Sequence, residues 1–95
     1  MAKKYNNIRT QLQGIASVLI SQEYNFIVVG NNITFMIDET SPIEIKNTFT
    51  GTQYNLSIFY NDGSEVISHS HHKVIDGAYF SYMLRKVPGT NNYIK

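Results

Sequence analysis

The sequence predicts an α+β domain: an N-terminal amphipathic helix, an antiparallel β-meander of four to five strands and a C-terminal helix. Three observations predict it. Apolar residues near the start recur at helical spacing, the middle of the chain alternates with period two between short turn signals, and His69–Val87 ends abruptly at Pro88-Gly89. At 95 residues the chain is a single domain, with room for one core and no second lobe.

From Tyr5 onward, Ile8, Leu12, Ile15 and Leu19 follow at steps of four, three and four, with Arg9, Gln11 and Gln13 assigned to the opposite, polar face. Val18 and Ile20 are expected to widen the apolar face toward the helix end. Gly14 in the middle costs about 1 kcal/mol relative to Ala. Close approach of another element, a strand in the first instance, is the reason to expect it there. Lys3 and Lys4 read as solvated.

Tyr24–Val29 is β-branched and aromatic, Gly30-Asn31-Asn32 supplies a turn, and Ile33, Phe35 and Ile37 alternate with Thr34, Met36 and Asp38. After the turn Glu39-Thr40-Ser41-Pro42, a third strand alternates Ile43 and Ile45, out to Phe49, with Glu44, Lys46 and Thr48. A fourth runs from Tyr54 through Leu56 and Ile58 to Tyr60. Asp62-Gly63 is the strongest hairpin signal, and Glu65–His69 returns as the fifth strand. The connections are too short for crossover helices, so the pairing is antiparallel throughout.

The C-terminal stretch admits two readings. As a helix it is capped by Ser68 or Ser70, with Ile75, Tyr79, Tyr82 and Met83 forming its apolar side and Arg85 and Lys86 near its C-terminus. As a hairpin it turns at Asp76-Gly77. The helix is the primary expectation. Thr90–Lys95 reads as a polar, frayed end.

Composition narrows the function classes. Charged residues make up only 16% of the chain and the formal net charge is +1, which disfavours both an electrostatic nucleic-acid binder and an acidic nucleic-acid mimic. With no cysteine, thiolate metal sites and disulfides are impossible. No run reaches transmembrane length, no membrane association is expected, and the polar Met1–Asn7 does not resemble a secretory signal. A cytoplasmic protein is the expectation.

His69, His71 and His72 are the one metal-like cluster, but a third independent ligand is missing from the local sequence. Ser68, His71 and Asp76 offer the residue types of a hydrolytic triad without a nucleophile elbow or an oxyanion loop. No catalytic, cofactor-binding or metal-binding residue is therefore assigned, no cofactor is expected and enzymatic activity is not. The tyrosines are more informative. Tyr54, Tyr60, Tyr79 and Tyr82, with Arg85 and Lys86, have the composition of a binding hot spot and are the candidate interface residues.

Two likenesses bear on function. The element order resembles that of double-stranded RNA-binding domains, with Lys73, Arg85 and Lys86 assigned to the last helix. The lysine cluster expected at that helix start is replaced here by Ser70, His71, His72 and Lys73. Residues 60–87, from Asn61-Asp62-Gly63-Ser64-Glu65-Val66-Ile67-Ser68 into the last helix, resemble a segment of small phage-encoded Cas9 inhibitors of the anti-CRISPR type. That resemblance implies a phage or mobile-element accessory protein acting in the host cytoplasm. It carries over no functional residue, and the acidic face such inhibitors would present is offset here by neighbouring His and Lys. The reading of the whole chain is a small non-enzymatic protein that binds a host or phage protein as an inhibitor or accessory factor. Homodimerisation through a sheet edge or the last helix fits the weakly charged surface, and nucleic-acid binding is the alternative.

Overall fold

In the computed structural model, which describes residues 3–89 and side chains from Ile8 onward, a long helix α1 (Lys3–Ser21) precedes five strands: β1 (Phe26–Val29), β2 (Asn32–Met36), β3 (Pro42–Thr50), β4 (Gln53–Tyr60) and β5 (Glu65–His71). A short helix α2 (Gly77–Leu84) follows. The expectations for the Lys3, Lys4 and Tyr5 side chains and for Thr90–Lys95 lie outside what is described. The strands pair antiparallel in the order β1-β2-β3-β4-β5, so the α+β meander is observed with all five strands.

Period-two alternation sends one set of side chains to the helix-covered face. Ile33 and Phe35 from β2, Ile43 and Ile45 from β3, and Leu56 and Ile58 from β4 are buried there against Ile15 and Leu19 of α1 and Phe80, Met83 and Leu84 of α2. The other face carries Thr34, Glu44, Lys46, Thr48, Asn55 and Ser57, and among the described residues no helix lies over it. The β4–β5 hairpin closes with a three-residue loop rather than a two-residue turn. The Gly63 N–H donates to the Tyr60 carbonyl (3.0 Å), Tyr60 N–H donates to the Ser64 carbonyl (2.9 Å), and Gly63 alone takes a positive φ of 90°.

The helix reading of the C-terminus holds and the hairpin at Asp76-Gly77 does not form, but the boundaries move. β5 runs two residues past His69, and α2 begins only at Gly77, capped by Asp76 rather than by Ser68 or Ser70. Asp76 has extended backbone and its carboxylate accepts the Tyr79 N–H at 2.9 Å. The buried side of α2 is Phe80, Met83 and Leu84, whereas Tyr82 points outward. Lys73 therefore lies in the loop before α2, with Arg85 at the C-cap and Lys86 just beyond the helix.

Gly14 does mark a close approach, and the approaching element is α2 rather than a strand. A Cβ on Gly14 would meet the Gly77 backbone nitrogen at 3.3 Å, and one on Gly77 would meet the Gly14 carbonyl oxygen and Val18 Cγ2, both at 3.3 Å. The glycine in each helix lets the two backbones touch.

Two assignments on α1 are corrected. Ile20 is exposed instead of widening the buried face, and Gln11 is fully buried instead of facing solvent. Gln11 lies four residues before Ile15 and eight before Leu19, so it falls on their stripe. Burial is tolerated because each end of its amide is used. Its Oε1 accepts the Ile75 N–H (3.0 Å), and its Nε2 donates to Asn47 Oδ1 (3.1 Å) and to the Asn55 carbonyl (3.4 Å). Asn47, also buried, donates from Nδ2 to the Asn31 carbonyl at 3.0 Å. This relay ties α1 to β3, β4, the β1–β2 turn and the loop that aims α2.

Candidate functional site

Where β5 meets the start of α2, His69, His71, Val74, Ile75, Asp76 and Tyr79 line an open groove of about 330 Å³. The strand register explains it. His69 and His71 are two residues apart, so both project to the helix side, across the ladder from Leu56 and Tyr54 respectively. Being on the outermost strand, they lie beside α2 and not beneath it, half-buried and exposed respectively.

The rings form a continuous ridge. His72 stacks on His71 (centroids 4.5 Å apart, 24° between planes), His71 on His69 (5.9 Å, 20°), and His69 tilts on Tyr79 (4.2 Å, 33°). Tyr79 in turn meets Tyr82 (5.4 Å, 44°), and the Lys86 ammonium sits 4.9 Å from the Tyr82 ring centre. Helical spacing makes the second half: Tyr79 and Tyr82 are three apart on one side of α2. The ridge thus runs from the end of β5 along α2 to a cation.

Of the candidate interface residues, three belong here: Tyr79 and Tyr82 are ring members and Lys86 closes the ridge. Arg85 is exposed at the α2 C-cap. Tyr54 is corrected: it is buried, with its ring 4.5 Å from that of Phe49, because its register position faces the helices. Tyr60, across from Ile43, is half-buried against the core as Tyr79 is, and is not one of the stacked rings. Sequence reasoning had set the three histidines aside as potential ligands and missed them as ring surfaces. Their signal was the i, i+2 spacing of His69 and His71 on an edge strand.

The geometry also bears on the chemistries weighed above. Ser68 lies on the opposite sheet face from His71 and its hydroxyl is 3.4 Å from a Glu65 carboxylate oxygen, while the Asp76 carboxylate is engaged at the helix cap. The three do not come together as a triad. Lys73 N–H donates to His71 Nδ1 (3.1 Å), so the neutral ring keeps its proton on Nε2, and a metal at Nε2 would have to break that bond. Among the described residues no three His, Asp or Glu side chains are grouped to hold a metal ion. No helix in those residues is long and apolar enough to cross a membrane.

No known protein family, curated protein or solved structure matches the chain.

Proposed function

We propose that the domain is a non-enzymatic binding module that presents the β5–α2 ridge to a protein partner. The observation that carries this reading is the run of five rings from His72 to Tyr82, held at 4.2 to 5.9 Å between neighbours and partly open to solvent. Rings already packed on one another lose little conformational freedom on binding, and they join apolar area to polar rims, which is how tyrosine-rich contact surfaces gain affinity. The sparse charge of the chain fits recognition by rings and hydrogen bonds over recognition by ion pairs. An inhibitor or accessory factor of phage type, as the resemblance over residues 60–87 implies, would act through such a surface, and a Cas9-type nuclease is the first partner to try.

The test is affinity capture with three baits: the wild-type chain, the double variant Tyr79→Ala/Tyr82→Ala, and Lys46→Ala on the uncovered sheet face. The reading expects a protein retained by the wild type and by Lys46→Ala but lost with the ridge variant. Identical capture by all three baits would overturn it.

A nucleic-acid reading draws on the same ridge, since ring faces also stack on bases and Lys86 would sit near a backbone phosphate. Against a double-stranded RNA reading, Lys73 lies in the loop before α2 and so apart from Arg85 and Lys86 at the other end of the helix. A gel shift at low salt, where phosphate binding is strongest, separates the two readings: a shifted band abolished by Tyr79→Ala/Tyr82→Ala supports nucleic acid.

A further inference from the structure

We infer that two copies of the chain join edge to edge through β1, with Val28 opposite the second copy's Val28, to make one continuous antiparallel sheet. Among the described residues five large apolar side chains are exposed, and three of them, Ile27, Val28 and Val29, are on this one four-residue strand. The strand is the outer edge of the sheet. Its side chains alternate: Ile27 and Val29, opposite Thr34 and Asn32, face the uncovered side, and Val28, opposite Ile33, faces the helix side. A body docked on one face would cover at most two of the three. An added strand covers all three, because it continues both faces.

The backbone points the same way. Met36 N–H donates to the Asn25 carbonyl (3.2 Å), which makes Phe26 and Phe35 a non-hydrogen-bonded pair. Alternation then turns the N–H and C=O of Ile27 and Val29 toward β2, and those of Phe26 and Val28 outward to the open edge. Phe26–Val29 contains no charge, proline or bulge, the features that ordinarily block such an edge. The β5 edge differs, with Glu65 at its start and a register shift beside Phe59.

A second copy is favoured over a foreign strand by self-complementarity. In an antiparallel pair of identical strands, opposed residues must lie on the same face, so their numbers sum to an even value. Centring on Val28 puts the two Val28 residues in a hydrogen-bonded position that exchanges both N–H···O=C bonds. It also sets each Ile27 across from a Val29, covering all three exposed side chains. Centring on Ile27 would set Val29 across from Asn25. The Val28 register opposes no like charges. The β5–α2 ridges lie at the far edges, so this pairing leaves both free, roughly 40 Å apart at about 4.8 Å per strand spacing.

Sedimentation equilibrium of the full chain over a concentration series tests the proposal, with the variants Val28→Pro and Ile27→Lys. Val28→Pro removes only an outward N–H and leaves the β1–β2 ladder intact. The expected result is a mass approaching twice that of one chain for the wild type and a single-chain mass for both variants, with circular dichroism unchanged. Val28 amide hydrogen exchange should slow with rising wild-type concentration while that of Val29 stays constant. A wild type that remains a monomer at several hundred micromolar, or a dimer that both folded variants retain, would overturn it.

Discussion

At the residue scale, the least expected position is Gln11, because one carboxamide serves β3, β4 and the loop before α2, at sequence separations of 36, 44 and 64 residues from it. Polarity placed it on the outer face of α1, whereas the spacing to Ile15 and Leu19 placed it inside, and the structure follows the spacing. What polarity could not reveal was the partner set, since Asn47 and the Ile75 N–H are long-range. Gln11→Ala takes the partner from Asn47 Oδ1 and from the Ile75 N–H, at about 1–3 kcal/mol for each orphaned group. The expected outcome is a lower urea midpoint, read by circular dichroism, together with faster exchange of the Ile75 amide. Tyrosines divide on the same principle of facing. Tyr54→Ala is expected to cost roughly 3 kcal/mol as a core truncation, against no more than about 0.5 kcal/mol for Tyr82→Ala at an exposed position. Urea denaturation of the two variants side by side checks the ordering.

At the element scale, strands and turns were legible because period-two alternation and turn chemistry are local. The start of α2 was not. Ser68 and Ser70 look like caps in sequence, but continued pairing of Ser70 and His71 with Asn55 and Tyr54 extends β5 through them and leaves Asp76 to cap. Gly14 signalled a close approach, but its partner, the Gly77 backbone, is set by the packing of α2 and was not legible. Gly14→Ala would gain about 1 kcal/mol from propensity alone, yet its Cβ meets backbone that cannot swing away, so net destabilisation is expected in thermal melts. The hairpins supply a pH signature. The Ser64 hydroxyl (2.6 Å) and N–H (2.8 Å) both donate to Asp62, holding its carboxyl below the usual aspartate value. The Thr40 N–H, with Ser41, does the same for Asp38. Because these folded-state values are depressed, the stabilisation is present above the unfolded aspartate range and is lost as pH falls through the lowered values. Carboxyl NMR titration is expected to place both midpoints below that of an unstructured aspartate peptide, and Ser64→Ala is expected to move Asp62 back toward it.

At the scale of the whole molecule, a five-stranded meander covered on one face leaves two edges with different chemistry: an apolar β1 and a β5 lined by imidazoles. The edges follow from topology, which the short connections already implied; the ridge did not, because its members come from β5, the loop and α2, and only the packing of α2 against α1 aligns them. The central claim is that this ridge, and not the uncovered polar face, is the surface the protein uses. The most direct measurement places a benzophenone photo-crosslinking residue at Tyr82 or, as a control, at Phe59 on the uncovered face, and irradiates cells expressing each chain. The ridge account predicts a discrete cross-linked protein adduct from position 82 and none from position 59. Equal adducts from both positions, or an adduct from position 59 alone, would contradict it.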